Sequence, residues 1–438
     1  MRDDVKPLDI LFLSLFACVS VPDRIPAPAS KASLPPDVLV VIVDDVGWPD
    51  LESVPTPAFD SLRARGVTFR RFYVNPWCAP TRDSFLRSSY AGEYRGAGCD
   101  GLIPSNALAP GTPTIGSWFQ ERGYTTAWFG KWHIGPSSDP SVPWECAPQQ
   151  IGFDTWRAGI SEGTNACGGS GYKDWLRADP CKSSFATAWA DVAINKALIS
   201  WWRATPSPRF AVLAYQEAHA PYMIPPTSLV PAGWPKPTTK RERYEAMLVA
   251  MDELLGAVLG TVGDETWVVL FGDNGTPGCH PATGSCEASV AQPFQDPFKL
   301  KATTFEGGIR TPMLVAAPAL SGGAETDALA HVADIWPTLA AGLGMQVTTP
   351  VDGVSLVPVL HSPGSSGPRA WAFSRNPTIW GGLGDRAVIE SRWKLRNVAG
   401  SEELYDLVND PDELVNLVND PARVAELTRL RRTMAGLP

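Results

Sequence analysis

The chain has 438 residues, of which 44% are hydrophobic and 19% are charged. This composition excludes a disordered chain and is sufficient for one large domain or two medium domains with a sizeable core. The net charge of −9 argues against nucleic acid or anionic lipid as a general partner, because such binding requires clustered lysine and arginine.

The N-terminal segment, residues 1–18, resembles a bacterial export signal. Its apolar stretch ILFLSLFAC (10–18) is too short to span a bilayer but has the length of a signal-peptide core. The stretch ends in a sequence similar to a lipobox, in which Cys18 would carry a lipid anchor. Residues 19–36 are rich in proline and alanine and predict a flexible tether. We therefore expect an exported protein, periplasmic or membrane-anchored; an unprocessed N-terminus is the alternative.

Apolar runs that alternate with helical patterns indicate the fold class of the main domain, residues 37–369. Continuous apolar runs without polar alternation are typical of strands that helices cover on both faces. The chain therefore predicts an α/β fold with a mostly parallel central sheet sandwiched by helices. The predicted strands are 38–45, 125–133, 210–219, 266–274 and 311–318, and the helical patterns are 57–66, 114–123 and 240–260.

The C-terminal part, residues 370–438, has a different pattern. Short alternating stretches at 386–398 and 403–407 are followed by a helical pattern at 421–436. We expect a small C-terminal antiparallel sheet plus one helix. Within the main domain, the aromatic and glycine-rich residues 137–183 are expected to line the substrate pocket.

Polar side chains follow several of the predicted strands. Asp44 and Asp45 end the first run, and Asp273 and Asn274 end the fourth. In open α/β sheets, ligands bind at the carboxyl ends of the strands. Carboxylate and amide oxygens suit Ca²⁺ or Mg²⁺, whereas zinc usually recruits histidine or cysteine. A solvated turn would explain either pair alone, but the two pairs together favour a metal site.

Cationic and thiol groups complete a possible anion site. Lys131 and His133 follow the second predicted strand, and His219 follows the third. Lys301 precedes EGGIRTP, whose paired glycines suggest a close backbone approach. Donors of this kind around a helix N-terminus would bind a tetrahedral oxyanion, although each could also be structural.

The stretch WCAPTR (77–82) predicts a helix that begins at or near Cys78. Proline fixes its own φ and excludes helical geometry from the residue before it. A helix N-terminus would lower the pKa of the Cys78 thiol and favour bound anions. The alternative is a buried apolar cysteine or one half of a disulfide.

Taken together, these motifs resemble the formylglycine-dependent sulfatases of the alkaline phosphatase superfamily. The resemblance runs in order through VDDVGWPDL, TPAFDSL, CAPTR, GKWHIG, AHAPY, GDNG, KATTFEGGIRTP, DGVSLVPVL and ELYDLVNDPDE. It implies hydrolysis of a small-molecule or carbohydrate sulfate ester. It also implies that a maturation enzyme recognises Cys-x-Pro-x-Arg and oxidises Cys78 to 3-oxoalanine (formylglycine), whose hydrate is the nucleophile.

The resemblance also implies roles for the other site residues. One calcium ion would be held by four oxygen ligands, and the remaining groups would act on the nucleophile and the sulfate. The implied ligands are Asp44, Asp45, Asp273 and Asn274. Arg82 and Lys131 would hold the formylglycine, His133 would act as the base, and Lys301 and His219 would bind the sulfate and assist the leaving oxygen.

One departure from the family concerns the segment after Leu86. Family members commonly continue to Leu-Thr-Gly-Arg, whereas Leu86 is followed here by RSSYAGEYRG. This predicts about one extra helical turn, with Gly92 in place of the usual glycine.

The remaining cysteines are even in number and could pair in an exported protein. They are Cys99, Cys146, Cys167, Cys181, Cys279 and Cys286. Cys279 and Cys286 are close enough in sequence to close one loop, but the sequence leaves the connectivity open.

Two other functions remain open from the sequence. A formylglycine-dependent phosphonate or phosphoester hydrolase would use the same nucleophile, whereas two-zinc phosphatases would require more well-placed histidines. A catalytically silent exported protein could bind sulfated polymers through its seventeen tryptophans. Such a protein would be expected to have lost metal or lysine positions, yet all of these are present.

Overall fold

The computed structural model describes Met1 and residues 34–90, 108–159, 168–320, 322–376 and 384–438. The predicted export segment with Cys18, most of the tether, and Gly92, Cys99 and Cys167 lie outside these ranges. Within them, no helix combines the length and apolar character that crossing a membrane requires.

A mixed sheet with eleven described strands is the centre of the fold. The strands are β1 (Val38–Val43), β2 (Gly66–Tyr73), β3 (Thr125–Lys131), β4 (Thr155–Gly159), β5 (Trp175–Asp179), β6 (Lys182–Ala186), β7 (Arg209–Ala214), β8 (Trp267–Gly272), β9 (Arg310–Ala316), β10 (Ala324–Thr326) and β11 (Ala330–His331). Their order is β10-β2-β9-β8-β1-β7-β3-β4-β5-β6, and β11 also pairs with β2. Strands β8, β1, β7, β3 and β4 are mutually parallel, which confirms the predicted parallel centre.

Helices cover both faces of this sheet. The ten described helices of the chain are α1 (Trp48–Glu52), α2 (Pro57–Ala64), α3 (Cys78–Arg87), α4 (Ile115–Gln120), α5 (Ala190–Ala204), α6 (Lys240–Val262), α7 (Glu306–Ile309), α8 (Ile335–Gly342), α9 (Val357–His361) and α10 (Val424–Ala435). Alternate residues of β1 belong to two different cores. Val40 packs in the core that includes α3, α4 and α8, whereas Val41 packs in the core that includes α2, α5 and α6. A fully apolar strand is the consequence of burial on both faces.

All five predicted strands and all three predicted helices are present. The fifth strand, β9, is antiparallel to both of its neighbours, β2 and β8. The third, β7, ends at Ala214, so His219 lies in the following loop rather than at the end of the strand.

A second sheet of four strands follows in the C-terminal part, as predicted. It consists of β12 (Ala372–Arg375), β13 (Arg386–Ile389), β14 (Trp393–Val398) and β15 (Ser401–Asp406), all antiparallel. Leu427 and Leu430 of α10 pack against Val388 and Leu395 of this sheet. This is the predicted small sheet with its helix.

Candidate active site

Asp44 and Asp45 lie at the carboxyl end of β1, and both are buried. In a continuing strand their side chains would point to opposite faces. Asp45 instead has a φ of 60°, which turns the backbone at this point. The turn allows both carboxylates to lie at the same edge of the sheet.

Asp273 and Asn274 reach the same edge from the neighbouring strand. β8 is parallel to β1 with Gly272 opposite Val43, so the residues that follow the two strands are adjacent. The backbone N–H of Asp45 donates to Oδ1 of Asp273 at 3.4 Å, and Nδ2 of Asn274 donates to Oδ1 of Asp45 at 2.7 Å. The predicted ligands therefore converge.

Cys78 is the first residue of α3, as predicted, and its thiol lies among these groups. Its Sγ atom is 3.0 Å from Oδ1 of Asn274 and 3.4 Å from Oδ1 of Asp44. Two amines approach from other sides, with Nζ of Lys131 at 3.5 Å and Nζ of Lys301 at 3.6 Å. Cys78 is thus the point at which the oxygen groups and the cations meet.

The prediction of a lowered pKa for the Cys78 thiol is wrong. Burial raises this pKa well above its usual range, and the charges of Asp273 and Asp44 raise it further. The two nearby lysines oppose this shift without reversing it. Burial and carboxylates outweigh the helix N-terminus, so the unmodified residue is a protonated thiol rather than a thiolate.

Each of the three strong cations of the site has a different carboxylate as its closest partner. Each pair joins residues that are far apart in sequence, and all six side chains are largely or fully buried. The pairs are Lys131 with Asp44 at 2.5 Å, Arg82 with Asp273 at 2.7 Å, and Lys301 with Asp45. Arg82 also donates from Nη1 to the backbone carbonyl of Lys131 at 2.6 Å.

The pairing leaves the carboxyl groups with different proton affinities. Burial raises the pKa of Asp45, but Lys301 and His219 hold it below its usual range. Burial and the nearby Asp44 raise the pKa of Asp273 to about 6, although Arg82 opposes the shift. A cation bound beside Asp273 would therefore help to ionise it.

The two predicted histidines have different surroundings. Nδ1 of His219 lies 2.7 Å from the carbonyl of Ala220 and must donate to it, and Nε2 lies 3.9 Å from Oδ2 of Asp45. His133 is buried, and its Nδ1 has no hydrogen-bond partner among the described residues. Burial and the charge of Lys131 hold the pKa of His133 well below its usual range. His133 is therefore a neutral imidazole, and its Nδ1 is not occupied by another described group.

The donor set suits a hard divalent cation. Ligand atoms of Asp44, Asp45, Asp273 and Cys78 all lie within 4.8 Å of one another and are buried. The amide oxygen of Asn274 adds a neutral oxygen beside them. Calcium accepts such carboxylate and amide oxygens in flexible geometries, so these residues fit the ion implied by the resemblance.

Close backbone contacts place the two lysines. Lys131 follows Gly130, which has a φ of 100° and at which a Cβ atom would lie 1.7 Å from the carbonyl oxygen of Ala214 in the adjacent strand. The backbone N–H of Lys301 donates to the carbonyl of Thr276 at 3.0 Å. Glycine is thus required where β3 presents Lys131.

The paired glycines of EGGIRTP also make the close approach that the sequence predicts. The backbone N–H of Gly275 donates to the carbonyl of Gly308 at 3.0 Å, and a Cβ atom on Gly275 would lie 1.8 Å from the carbonyl oxygen of Gly307. This contact joins the segment that carries Asn274 to the segment that carries Lys301.

Comparison with known proteins identifies the family. Residues 36–345 match the family described as Sulfatase. The chain belongs to the sulfatase family. Residues 298–437 also match the description "N-sulphoglucosamine sulphohydrolase, C-terminal". The chain is thus a member of a family of sulfuric ester hydrolases.

Several curated sulfatases are similar along most of this chain. N-acetylgalactosamine-6-sulfatase of Homo sapiens is 28% identical over 373 residues, which cover 76% of this chain and 67% of that protein. Arylsulfatase A of Bos taurus is 28% identical over 387 residues, with 79% and 72% covered. Arylsulfatase J of Mus musculus is 25% identical over 419 residues, with 85% and 66% covered. The chain spans about two-thirds of the length of these relatives.

Solved structures share the fold at lower identity. Ps i-CgsB in complex with k-i-k-neocarrahexaose has a TM-score of 0.74 at 23% identity, with 92% of each chain covered. BT4656, in complex with its substrate D-glucosamine-2-N,6-O-disulfate, has a TM-score of 0.71 at 17% identity, with 92% of this chain and 97% of that chain covered. These likenesses establish the sulfatase fold.

A cavity of about 610 Å³ opens beside the sulfatase-family motifs. Asp45, His219 and Lys301 lie in its wall. None of the described residues of 137–183 lies in the wall of this cavity, and residues 160–167 are outside the described part, so their predicted contact with the substrate stays a prediction. The wall instead includes residues that the sequence analysis did not assign: Trp77, Tyr222, Lys240, Arg243 and His280. Trp77 directly precedes the CAPTR motif and Tyr222 is the last residue of the AHAPY motif, so these positions in the motifs were the available signal.

Two disulfides are present among the described residues. Cys279 pairs with Cys286, as their spacing suggests, and closes a loop that forms part of the cavity wall. Cys146 pairs with Cys181, a connection that the sequence left open. Cys78 is the free cysteine of the described part.

The segment after Leu86 does not extend α3 as predicted. The helix ends at Arg87, and Ser88 adopts a left-handed conformation with a φ of 52°. This backbone reversal ends the helix before an extra turn can form.

Proposed function

We propose that this protein hydrolyses a sulfate monoester through a formylglycine nucleophile derived from Cys78, with one bound calcium ion. The observation that carries the proposal is the position of Cys78 Sγ. It lies 3.4 Å from a carboxylate oxygen of Asp44 and within 3.6 Å of the amines of Lys131 and Lys301. A nucleophile there would adjoin both the metal ligands and the cations that receive sulfate.

The state of the thiol supports conversion of Cys78. A buried thiol with a raised pKa is a poor nucleophile, because the reactive form is the thiolate. The sequence from Cys78 to Arg82 has the Cys-x-Pro-x-Arg pattern that the family's maturation enzyme recognises. The hydrated aldehyde would supply a hydroxyl that attacks sulfur and a second hydroxyl whose deprotonation expels sulfate.

Calcium would be held by Asp44, Asp45, Asp273 and Asn274, and it would supply positive charge beside the reacting oxygens. Lys131 and Arg82 would then orient residue 78, because Lys131 contacts Sγ directly and Arg82 braces the Lys131 carbonyl.

The remaining groups suit proton transfer and sulfate binding. Lys301 and His219 face the cavity, so they can bind the sulfate oxygens and donate a proton to the leaving oxygen. His133 is neutral and its Nδ1 has no hydrogen-bond partner among the described residues, so this ring would be the acceptor for the proton that is released when residue 78 expels sulfate.

The cavity supports a carbohydrate or other small-molecule ester as the substrate. Its volume of about 610 Å³ and its aromatic wall residues suit a ring system larger than a simple alcohol. Similar proteins named N-acetylgalactosamine-6-sulfatase, and a fold neighbour in complex with its substrate D-glucosamine-2-N,6-O-disulfate, support the carbohydrate class.

The disulfides support an exported location. Cys146–Cys181 and Cys279–Cys286 would be kept in an oxidising compartment such as the bacterial periplasm. We propose export with a lipid anchor at Cys18. Loss of membrane association in Cys18→Ala, measured by detergent phase partition, would support the anchor; unchanged association would contradict it.

The deciding experiment co-expresses the chain with a formylglycine-generating enzyme. Mass spectrometry of the tryptic peptide 72–82 should show an aldehyde or its hydrate at position 78, and the protein should hydrolyse 4-nitrophenyl sulfate. Cys78→Ala should be inactive. Chelation should abolish turnover, and Ca²⁺ should restore it better than Zn²⁺.

Three results would contradict parts of this proposal. A strong preference for an aryl phosphonate over the aryl sulfate would indicate a phosphonate hydrolase. Unchanged sulfated-polymer binding in Cys78→Ala, without turnover in either form, would indicate a silent binder. Full turnover by a protein whose Cys78 remains a thiol would contradict the formylglycine.

A further inference from the structure

Two cations in the cavity wall have no role in the reaction proposed above. Lys240 and Arg243 lie in the first turns of α6 and line the same cavity as Lys301 and His219. Residues three positions apart in a helix lie on the same face, so the two side chains are neighbours. We propose that Lys240 and Arg243 bind a second anionic group, a sulfate or a carboxylate, on the sugar substrate. This inference rests on the proposed sulfatase function.

The first support is the absence of a charge partner. Among the described residues, no carboxylate lies within ion-pair distance of Lys240 or Arg243. Nζ of Lys240 donates to the backbone carbonyl of Glu287 at 2.6 Å. Nε of Arg243 is buried and has no hydrogen-bond partner in the described part of the chain. Arg241 of the same helix, by contrast, pairs with Asp50 at 2.7 Å.

A buried guanidinium N–H without an acceptor is costly. The side chain of Arg243 also lines the cavity, and arginine can bind a carboxylate or a sulfate through two parallel N–H donors. The cations paired with the candidate metal ligands differ, because each of them already contacts a carboxylate. Arg243 is therefore available to a ligand.

The second support is that one continuous cavity joins both sites. Lys240 and Arg243 share it with Lys301, so an ester sulfate beside Cys78 and a second anion at α6 can belong to one molecule. The volume of about 610 Å³ lies within the range of small-molecule sites.

Aromatic residues in the wall of the same cavity favour a sugar as the connecting group. The rings of Trp77 and His280 are 6.2 Å apart, and both residues line the cavity. Nε1 of Trp77 donates to Oδ1 of Asn376 at 2.8 Å, which holds the indole in place. Tyr222, whose hydroxyl donates to the carbonyl of Ala288 at 2.7 Å, is held in a similar way. Fixed rings provide apolar surface for a sugar at low entropic cost.

The test compares selectivity in Arg243→Ala, Arg243→Gln and Lys240→Ala with that of the wild type. Arg203→Ala is the matched control, because Arg203 is an exposed arginine of α5 that does not line the cavity. The substrates are 4-nitrophenyl sulfate, a disulfated disaccharide, and a monosulfated disaccharide that contains a uronate. The measured quantity is kcat/KM for each saccharide divided by kcat/KM for the aryl sulfate.

We expect the ratio for a doubly anionic saccharide to fall about 10-fold to 100-fold in the Arg243 variants, mainly through KM, and to fall less in Lys240→Ala. The ratio should be unchanged in Arg203→Ala. The saccharide that is affected identifies the second group: the disulfated compound indicates sulfate, and the uronate compound indicates carboxylate. A ratio that stays constant for both saccharides in every variant would overturn the inference.

Failure of the proposed function is distinguishable from failure of this inference. If the wild type hydrolyses no sulfate ester, calorimetry is used to measure binding of the same disaccharides to two proteins. These are the single variant Cys78→Ala and the double variant Cys78→Ala/Arg243→Ala. If Arg243→Ala weakens binding of the disaccharides, and if added salt also weakens their binding to Cys78→Ala, the second subsite is supported even without hydrolysis. Equal affinity of Cys78→Ala and Cys78→Ala/Arg243→Ala for the disaccharides overturns the inference of a second subsite.

Discussion

The Nζ atom of Lys131 lies 2.5 Å from Oδ2 of Asp44, and neither side chain is exposed to solvent. Breaking a buried ion pair by removing one partner leaves an uncompensated charge, which typically costs about 3–5 kcal/mol. Lys131→Met should therefore lower the free energy of unfolding by about 3 kcal/mol in EDTA and abolish turnover. Chemical denaturation and an aryl sulfate assay measure the two effects.

The double variant Asp44→Asn/Lys131→Met separates stability from catalysis. It removes both charges, so it should recover most of the lost stability while remaining inactive. Recovery of activity together with stability would show that Lys131 is only a structural partner of Asp44.

Asp273→Ala should abolish hydrolysis, because it removes a proposed calcium ligand and leaves Arg82 without its carboxylate partner. The expected loss is at least about 1,000-fold in kcat, with weaker calcium binding by calorimetry.

Asp252→Asn is the matched control for Asp273→Ala. Asp252 is also buried, and burial raises its pKa to about 6, but it accepts hydrogen bonds from the backbone N–H groups of Ala58 and Phe59 at the start of α2. Its replacement should cost about 1 kcal/mol of stability and leave turnover within about twofold. Normal turnover and calcium binding in folded Asp273→Ala would refute the metal assignment.

Two buried carboxyl groups, Asp191 and Glu217, should make stability depend on pH. Burial raises the pKa of Asp191 to about 7 and raises that of Glu217 well above its usual range. Protons bind more tightly to the folded state, so this contribution is fully present below about pH 4 and is lost as the pH rises to about 7.

Glu217→Gln removes one titrating carboxyl group of this pair. Relative to the wild type, the variant should gain about 2 kcal/mol in the free energy of unfolding between pH 5 and pH 7.5. Urea denaturation at both pH values in EDTA measures the difference. If wild type and variant differ by the same free energy of unfolding at both pH values, Glu217 does not titrate between them and the prediction is wrong.

The Cys279–Cys286 disulfide should affect substrate binding more than folding. It closes a short loop of the cavity wall, so Cys279→Ser/Cys286→Ser should raise KM about 3-fold to 10-fold by loosening that wall. The control Cys146→Ser/Cys181→Ser removes a disulfide that does not line the cavity, and it should lower stability by about 2–4 kcal/mol without the KM effect. An equal KM change in both variants would indicate general loosening of the fold.

The sequence by itself determined five strands of the central sheet, about half of the described helices and the position of the polar groups that follow the strands. Apolar runs predict strands because burial on both faces leaves no position for polar residues, and β1 and β8 meet this condition. Since parallel strands present their carboxyl ends at one edge, the convergence of Asp45 and Asn274 could also be predicted.

Only the tertiary structure decided the electrostatics and the cavity wall. Cys78 lies at a helix N-terminus, as predicted, yet burial and two carboxylates reverse the expected shift in its pKa. Arg243 lines the cavity because the chain brings α6 beside the loop of residues 277–290, a contact that no local pattern encodes. Helix and strand formation depends on neighbours in sequence, whereas a pKa or a cavity wall depends on groups that folding brings together, such as Cys78 and Asn274, which are 196 positions apart.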